Sequence, residues 1–306
     1  PVMVLRAECW TKNCTIPFFM NTSLSEYPVL HHTVLRNQGG TAMIAGILCR
    51  GLRAEGRKSA VQSEMEGTDP EKDFPGFMVE SGCIRHLHGA SSWPGLLQKF
   101  KDRQQRIIIT LHDASLLTGG CVYPLDCTGW IKGCPECPRG YVRSRVSYVL
   151  NSEHMQRLNP VLVAPSRWMA RMAEKRFPGQ KVIIIANGIE RETALKDTNL
   201  DIPGFQGQLV LFVAHGGVQA GYKSGGDWIR IWQRIADRVP GARALFVGNE
   251  SAENREDVFH LPYVPNSVLR ELMKRADLLV YPSRADNHPL VILEAMMSSL
   301  AVAAFA

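Results

Sequence analysis

Short apolar runs alternate along the chain with stretches in which apolar residues recur every three or four positions. The runs have strand length and are apolar on both faces, as buried parallel strands are, and they cover 106–110, 161–164, 182–186, 209–214, 244–248 and 276–281. The helical spacing is clearest in 44–52 and 228–239. This alternation predicts parallel sheets with crossover helices, an α/β fold.

A polar stretch rich in turn residues divides this pattern into two parts. It lies between the apolar run that ends at Ala186 and the run that begins at Leu209, and we interpret it as an interdomain linker. The 306 residues suffice for two domains. We therefore predict two Rossmann-like, doubly wound domains at residues 1–190 and 205–306, without an internal repeat or a low-complexity tract.

The overall composition is that of an ordinary globular protein. Hydrophobic residues make up 45% of the chain and charged residues 21%, which argues against a disordered regulator. Because no apolar run approaches the roughly 18 residues that span a bilayer, we do not expect an integral membrane protein. Glu8 and Lys12 interrupt the N-terminus where a signal peptide needs apolar residues, so we expect no export and reduced cysteines.

The formal net charge of +6 is unevenly distributed. Residues 1–190 hold 23 basic and 16 acidic side chains, whereas residues 191–306 hold 12 basic and 13 acidic ones. Such a surplus favours contact with nucleic acid, an anionic membrane surface or a phosphorylated substrate. A solvated helix face is the alternative interpretation, especially for the basic segment 139–176.

Four cysteines lie close together in the segment 118–140. The spacing C-x5-C-x6-C-x2-C separates Cys121, Cys127, Cys134 and Cys137, with glycines and prolines that permit sharp turns between them. Four thiolates satisfy a tetrahedral ion, so we predict a closed site for structural zinc. Free reduced thiols and an iron–sulfur cluster are the alternatives.

Two features of the first half point to ligand binding. Gly39 and Gly40 lie between a predicted strand and a predicted helix, where a tight turn lets an anion approach the helix N-terminus. His112 and Asp113 follow the run 106–110, at the end of a strand where open parallel sheets bind ligands. Taken alone, a simple turn and a histidine bonded to a nearby carbonyl are the alternatives.

The second half contains a loop suited to a diphosphate. His215, Gly217 and Lys223 follow the run 209–214 and precede the amphipathic helix. Because backbone amides and a lysine ammonium both stabilise a diphosphate, this loop is a candidate phosphate clamp. A solvated surface lysine is the alternative.

A second polar loop of this half leads into a helix that we expect to begin at Pro289. The loop contains Asp286 and Asn287, and Glu294 follows in the helix. Amides in the first turn of a helix are free for an anion or a sugar hydroxyl, and carboxylates placed there accept hydrogen bonds from vicinal hydroxyls. A helix-capping aspartate and an exposed glutamate are the alternatives.

The segment PSRADNHPLVILEAM resembles the signature of family 4 retaining glycosyltransferases, nucleotide-sugar-dependent enzymes of the GT-B fold. In that signature an acidic residue, seven further residues and a glutamate close the donor site, and Asp286 and Glu294 hold those positions here. The Gly39-Gly40 turn, TLHD, the cysteine-rich insertion of one bacterial subgroup, VAPSRWM, IANGI and the Lys223 region agree in order. The resemblance covers residues 28–306 and implies two Rossmann-like domains that face a cleft.

The resemblance also implies a role for each candidate residue. Glu294 would bind the ribose, Asp286 the transferred sugar and Lys223 the diphosphate, while His112 would touch the sugar or the acceptor. The implied catalytic residues are His112, Asp286 and Glu294, and the implied donor-binding residues are Gly39, Gly40, His215, Gly217, Lys223, Asn287 and Glu294. The leaving diphosphate would assist the acceptor on the same face of the sugar, so no enzyme nucleophile and no catalytic metal are expected.

The chain departs from the family pattern in two places. Family members follow the glutamate helix with a Gly-Thr-Pro-Val turn, whereas this chain has Ser-Leu-Ala-Val at 299–302 and stops at Ala306, so we expect an incomplete C-terminal domain. Gln219 and Ala220 stand where a basic residue usually precedes the lysine, which predicts a weaker phosphate clamp.

These observations predict an enzyme, a hexosyltransferase of bacterial polysaccharide or glycoconjugate assembly. Its expected partners are a nucleotide sugar and a saccharide or lipid-linked acceptor, and no nucleic acid. We expect a cytoplasmic protein with peripheral contact to the inner face of an anionic membrane. The alternative from another class is a catalytically inactive, zinc-stapled binding module whose basic first half binds a polyanion or a membrane.

Overall fold

The architecture is described from a computed structural model of the chain. The described residues are 2–5, 27–36, 38–65, 83–100, 106–190, 207–215, 217, 221–248 and 254–305, and 2–5 are described by their backbone alone. The chain divides into two compact units, an N-terminal unit of residues 16–188 and a C-terminal unit of residues 1–15 with 189–306. Residues 191–206 of the predicted linker lie outside the described residues.

Strands and helices alternate along most of the described chain. The strands are β1 (Val2–Leu5), β2 (Val29–Thr33), β3 (Ser59–Ser63), β4 (Ile84–Leu87), β5 (Arg106–Thr110), β6 (Val161–Ala164), β7 (Val182–Ile184), β8 (Leu209–Val213), β9 (Arg243–Val247), β10 (Val258–Leu261), β11 (Leu278–Tyr281) and β12 (Ala301–Phe305). The helices are α1 (Gly39–Ala54), α2 (Trp93–Leu97), α3 (Ser144–Leu158), α4 (Arg167–Arg176), α5 (Trp228–Ala236), α6 (Asn266–Arg275) and α7 (Leu290–Met297). The predicted α/β fold is therefore confirmed.

Each unit is built on one six-stranded sheet. In the N-terminal unit the strand order is β3-β2-β4-β5-β6-β7 and every neighbouring pair is parallel. In the C-terminal unit the order is β1-β12-β11-β8-β9-β10, parallel throughout except that β1 runs antiparallel to β12. Residues 2–5 thus extend the second sheet, although the sequence assigns them to the first domain.

Apolar faces explain why these elements pack where they do. Trp228 and Trp232 recur at helical spacing on α5, and each is 1% exposed. The Trp228 ring lies 5.6 Å from that of Phe212 on β8 and 5.2 Å from that of Phe246 on β9, measured between centroids. Burying one such aromatic side chain contributes about 1.5–3 kcal/mol, so this contact anchors α5 on the sheet.

The predicted strands agree closely with the observed ones, with one difference in burial. The runs 106–110 and 161–164 coincide with β5 and β6, and the other four overlap observed strands with shifts of one or two residues at their ends. Strand β7 lies at the edge of its sheet, and Ile183 and Ile184 are 37% and 52% exposed. The expectation of burial on both faces is therefore wrong for β7, where part of the strand is left uncovered.

Strands β3, β4 and β10 are absent from the predicted runs. Each of them includes polar residues, as in Ser-Ala-Val-Gln-Ser of β3 and Ile-Arg-His-Leu of β4, so apolar periodicity does not reveal them. Their pairing with a parallel neighbour supplies the strand geometry that the side chains alone do not specify. Among the described helices, none combines the length and the apolar character that crossing a membrane requires.

Candidate functional site

Lys223 and Asp286 meet at one edge of the C-terminal sheet. Lys223 ends the short 3-10 turn Gly221–Lys223 after β8, and Asp286 lies in the loop after β11. The Lys223 Nζ is 3.8 Å from the Asp286 Oδ2, and the same oxygen accepts a 2.5 Å hydrogen bond from the Tyr281 hydroxyl. Because β8 and β11 are parallel neighbours, their carboxyl ends bring these two predicted residues together.

Backbone hydrogen bonds brace the two loops that carry this ion pair. The Arg284 amide donates to the Tyr222 carbonyl over 2.9 Å, which ties the loop after β11 to the 3-10 turn. Within the same loop the Ser283 hydroxyl donates to the Ala285 carbonyl over 3.0 Å. Lys223 is therefore a partly buried, paired lysine, and the alternative of a solvated surface lysine is wrong.

Glu294 lies on α7 and is buried, with 2% of the residue exposed. Its Oε1 accepts a hydrogen bond from the side-chain amide of Asn266, at the start of α6. Burial raises the pKa of Glu294, and the Asn266 hydrogen bond and the positive charge of Arg270 offset only part of this effect. The alternative of an exposed helix glutamate is therefore wrong.

The loop after β8 approaches the end of β9 very closely. Gly217 is buried with φ +48°, and its amide donates to the Ala214 carbonyl over 2.9 Å. A Cβ on Gly248, which has φ +104°, would lie 1.9 Å from the Ala214 carbonyl oxygen. Only glycine fits at 248, a requirement that sequence reasoning missed although Gly248 is the last residue of the predicted run 244–248.

The remaining predicted donor residues of this unit lie in the loop after β8 and in the loop after β11. His215 is exposed, and its ring packs edge-to-face on Tyr263 with 5.6 Å between centroids. Asn287 is buried at 7% exposure. Helix α7 begins at Leu290, one residue later than predicted, and Pro289 before it provides no side-chain cap. Pro289 therefore does not cap the first-turn amides of α7. The predicted contact of these amides with a ligand requires this, because a capped amide could not donate to the ligand.

In the N-terminal unit, Gly39 is the first residue of α1. It has φ +81°, a left-handed conformation that favours glycine, and Gly40 continues the helix. Gln38, the residue before the helix, makes no side-chain cap hydrogen bond. The predicted turn from strand to helix is confirmed in its geometry, and the binding of an anion there stays a prediction.

His112 and Asp113 follow β5, as expected. The His112 Nε2 lies 3.0 Å from the Nδ1 of His88, and the two rings stack with 5.3 Å between centroids. Burial lowers the pKa of His112 to about 4, so the imidazole is neutral at pH 7. The Asp113 Oδ1 accepts a 2.7 Å hydrogen bond from the Ser115 amide, and burial raises the pKa of Asp113 more than this bond lowers it.

Sequence reasoning missed the other histidines around His112. Three of them have one ring nitrogen each within 4.8 Å of the others, and we call His31, His86 and His88 the histidine cluster. The signal was present in the sequence as Leu-His-His at the end of one strand and His-Leu-His at the end of another. Strand β4, which carries His86, was not predicted, so the proximity of the histidines could not be inferred.

The four cysteines of the segment 118–140 are free thiols, each partly buried. Burial raises the pKa of Cys121 and of Cys134, and the nearby Cys137 thiol raises both further. The Gly129 amide donates to the Cys127 Sγ over 3.4 Å. Among the described residues, the side chains grouped closely enough to hold a metal ion are histidines and do not include these cysteines. Zinc at the cysteines therefore stays a prediction.

A cavity of about 560 Å³ lies elsewhere on the C-terminal unit. It is lined mainly by α5, β11 and β12, with apolar side chains such as Ile231, Ile235 and Val280 and with arginines at its rim. None of the predicted donor residues lines it. The chemistry of the charged loops, rather than the volume of this cavity, therefore identifies the candidate donor site.

The C-terminal part of the chain is similar to known glycosyltransferases. Residues 208–306 match the family model described as "Glycosyl transferases group 1". The chain is also 24% identical over 210 residues to the "Putative colanic acid biosynthesis glycosyl transferase WcaC" of Escherichia coli (strain K12). That alignment covers 65% of this chain and 51% of WcaC, so the chain spans about half the length of this curated relative.

Solved structures of glycosyltransferases share the fold of the chain. The sucrose-phosphate synthase of Thermosynechococcus elongatus has a TM-score of 0.62 at 14% identity, over 90% of this chain and 80% of the synthase. The trehalose-6-phosphate synthase OtsA has a TM-score of 0.58 at 12% identity, over 89% and 82%. HepE of Anabaena, solved in complex with UDP-glucose, has a TM-score of 0.53 at 12% identity, over 89% and 79%.

These likenesses confirm the predicted GT-B fold, in which both domains are Rossmann-like. The alternative of a binding module unrelated to catalysis receives no support from the comparisons. The region of the family match contains Lys223, Asp286 and Glu294, the residues on which the predicted donor site depends. Residues 208–306, about a third of the chain, are thus similar to the glycosyl transferases group 1 family.

Proposed function

We propose that the chain is a retaining glycosyltransferase that moves a hexose from a nucleotide sugar to a saccharide or lipid-linked acceptor. The observation that carries this proposal is the braced ion pair of Lys223 and Asp286 at the carboxyl edge of the C-terminal sheet. In open parallel sheets this edge is where nucleotide ligands bind. The UDP-glucose bound to HepE, a protein of the same fold, is a donor of the proposed class.

Lys223 is suited to hold the diphosphate of the donor. Its ammonium has three donors, and a separation of 3.8 Å from the Asp286 Oδ2 leaves it loosely paired. A diphosphate brings more negative charge than one carboxylate and therefore competes well for this ammonium. In the reaction, Lys223 would stabilise the charge that develops on the departing diphosphate.

Glu294 and Asp286 are suited to bind hydroxyl groups of the donor. The Asn266 amide holds the Glu294 Oε1 in place, and a carboxylate fixed in this way can accept hydrogen bonds from the two ribose hydroxyls. The Tyr281 hydroxyl holds the Asp286 Oδ2, which leaves further acceptor capacity for the transferred sugar. We assign Asp286 and Asn287 to the sugar side of the donor and Glu294 to the ribose side.

The proposed reaction needs no enzyme nucleophile. The bond between the anomeric carbon and the diphosphate breaks, and a bond from that carbon to the acceptor oxygen forms on the same face of the sugar. The acceptor hydroxyl gives its proton to an oxygen of the leaving diphosphate, so charge and atoms balance. The residues of the chain position the donor and stabilise the leaving group.

The N-terminal unit would bind the acceptor in this proposal. His112, with its pKa near 4, offers a neutral imidazole that can donate or accept a hydrogen bond to a sugar hydroxyl. The surplus of basic residues in 1–190 suits an anionic acceptor or the inner face of an anionic membrane. We accordingly propose a cytoplasmic enzyme of polysaccharide or glycoconjugate assembly.

We also propose that Cys121, Cys127, Cys134 and Cys137 hold a structural zinc ion in the N-terminal unit. The Cys137 thiol lies near enough to Cys121 and Cys134 to raise the pKa of both, and a bound zinc ion would hold such neighbouring sulfurs in their deprotonated form. A bound ion would fix the turns of 118–140. Zn–S bonds of about 2.3 Å in X-ray absorption spectra would support this assignment.

The donor proposal is tested by thermal unfolding of the full chain with UDP-, GDP- and ADP-sugars. We expect one nucleotide sugar to raise the Tm, and the Glu294→Ala variant to lose most of this shift because the ribose contact is gone. Glu271→Ala is the matched control, since Glu271 lies on the neighbouring helix α6 in ion pairs with Lys274 and Arg275. Absence of a shift with every nucleotide sugar, or an equal loss in both variants, contradicts the proposal.

A further inference from the structure

We propose that His31, His86 and His88 form a binding site for a transition-metal dication, Zn²⁺ or a similar ion, in the N-terminal unit. The proposal does not depend on the proposed transferase function, and the site is separate from the cysteines of segment 118–140. It rests on the placement of the three rings, on their burial and on the contacts that orient them.

The register of the sheet explains why the three rings meet. His31 of β2 is the in-register partner of His86 of β4, so the two side chains leave the same face of the sheet. His88 follows His86 by two residues and returns to that face, because side chains alternate along an extended chain. The neighbouring His32 points to the other face and pairs there with Glu64 over 3.0 Å.

The distances within the histidine cluster suit one ion. One ring nitrogen from each histidine lies within 4.8 Å of the other two, and the Nδ1 of His31 is 3.0 Å from the Nε2 of His88. Two nitrogens bound to one tetrahedral ion at about 2.0–2.1 Å are about 3.3 Å apart. The rings of His86 and His88 lie 4.0 Å apart at their centroids, so the third ring is also adjacent to the other two.

The two ring nitrogens of His31 have different environments. The residue is 1% exposed, its Nδ1 faces the Nε2 of His88, and its Nε2 is a buried ring nitrogen that has no hydrogen-bond partner. With the ring proton on Nε2, the Nδ1 keeps its lone pair for an ion shared with His88.

The protonation state of the three rings also suits a metal. Burial lowers the pKa of His31 to about 4 and lowers the pKa of His86 and His88 well below the usual range, and the neighbouring histidines add to this effect for His86 and His88. All three imidazoles are therefore neutral at pH 7. Neutral imidazole is the form that binds zinc and related ions, whereas Mg²⁺ and Ca²⁺ prefer oxygen ligands.

The outer ring nitrogens of His86 and His88 make contacts that resemble those that orient metal-binding histidines. The Nε2 of His86 lies 2.8 Å from the Thr110 hydroxyl, and the Nδ1 of His88 lies 3.0 Å from the Nε2 of His112. Outer contacts of this kind fix the tautomer and the orientation of a metal-binding ring. An ion on His88 Nε2 would leave the proton on Nδ1, so that His88 donates to His112 and fixes its tautomer as well.

Cobalt(II) loading of the reduced full chain, expressed without a histidine tag, tests the proposal. X-ray absorption distinguishes Co bound by imidazole nitrogen from Co bound by thiolate sulfur, because metal–nitrogen bonds are about 0.2 Å shorter than metal–sulfur bonds. We expect one nitrogen-bound cobalt per chain in the wild type. The His31→Gln variant should lose it, while His154→Gln, with its histidine on α3, should retain it.

Each outcome decides the question. A wild-type spectrum with only sulfur ligands, or with cobalt that is lost on desalting, overturns the proposal and identifies the cluster as a hydrogen-bonded histidine ladder. Equal loading of the wild type and of a folded His31→Gln variant overturns it too. If His31→Gln fails to fold, the wild-type spectrum decides alone, because it reports the ligand atoms directly. Sulfur-bound cobalt beside nitrogen-bound cobalt supports the cysteine site in addition.

Discussion

The carboxyl edges of the two sheets carry opposite kinds of chemistry. The C-terminal edge holds charged side chains, because the Lys223 Nζ lies 3.8 Å from the Asp286 Oδ2. The buried Glu294 follows Asp286 closely in sequence. The N-terminal edge holds a row of neutral imidazoles. The Nε2 of His88 lies 3.0 Å from the Nδ1 of His31, and the Nδ1 of His88 lies 3.0 Å from the Nε2 of His112. The same parallel topology thus supports either charged or neutral polar groups where its strands end.

The difference shows how burial selects the charge state of an edge. Burial raises the pKa of Glu294 and lowers that of His31 to about 4, and in both cases the neutral form gains. Lys223 and Asp286 instead form an ion pair, in which each side chain has a partner of opposite charge. A charged ligand therefore suits the C-terminal edge, whereas the N-terminal edge suits hydroxyl groups or a metal ion.

The largest expected effect comes from breaking the C-terminal edge alone with Gly248→Ala. The new Cβ would lie 1.9 Å from the Ala214 carbonyl oxygen, and the residue would keep an unfavourable φ of +104°. We expect a loss of roughly 3 kcal/mol or more in the free energy of unfolding, measured by urea titration. Hydrogen exchange should show faster exchange in 207–248 and unchanged protection in the histidine-bearing strands β2 and β4.

Gly226→Ala is the control for this prediction. Gly226 lies in the same unit, and a Cβ there would meet nothing within 4 Å. We expect a change of less than about 0.5 kcal/mol. If Gly248→Ala is equally mild, the close approach of the two loops is not required for the C-terminal edge.

We expect a smaller effect from lowering the pH, which protonates Glu294 and weakens the binding of a nucleotide sugar at the C-terminal edge. Because its folded pKa is raised, Glu294 is protonated at pH values where an ordinary glutamate is ionised, and a protonated carboxyl accepts ribose hydrogen bonds less strongly. In a series of measurements from pH 8 to 5, we therefore expect the affinity for the best nucleotide sugar to fall as the pH passes below the raised pKa of Glu294, by at most about tenfold per pH unit, which equals about 1.4 kcal/mol. Calorimetric titration measures this dependence.

The choice of ligand and variant isolates Glu294. Both phosphates of a nucleotide sugar are diesters and do not titrate in this range. Glu294→Gln should bind more weakly at pH 8 and show a much flatter profile, whereas Glu271→Gln should keep the wild-type slope. The same slope in all three proteins would assign the pH dependence to another group.

Local sequence predicts much of the C-terminal edge. Lys223 and Asp286 each follow an apolar run by a few residues, and parallel pairing of those two strands brings their loops together. The burial of Glu294 could not be predicted, because it depends on Asn266 and the packing of α6 against α7. Gly248 escaped notice because the atom that excludes a Cβ there is the carbonyl oxygen of Ala214, a residue distant in sequence.

The N-terminal edge shows where prediction from sequence ends. His112 was expected from its place after β5, whereas His31, His86 and His88 were not considered. Their proximity depends on the register between β2 and β4, and β4 is too short and too polar to be recognised by periodicity. A site built from register is therefore hidden until the strands are paired.

The smallest expected effect probes the N-terminal edge through Thr110→Val. This nearly isosteric change removes the hydroxyl that lies 2.8 Å from the Nε2 of His86, leaving that buried nitrogen without its partner. In chelator-treated protein we expect a loss of about 1 kcal/mol in unfolding free energy. Thr128→Val, at an exposed threonine without a side-chain cap bond, should change it by less than about 0.5 kcal/mol. A loss that persists in a His86→Phe background would show that Thr110 acts through packing and not through this hydrogen bond, since a double-mutant cycle isolates the pair.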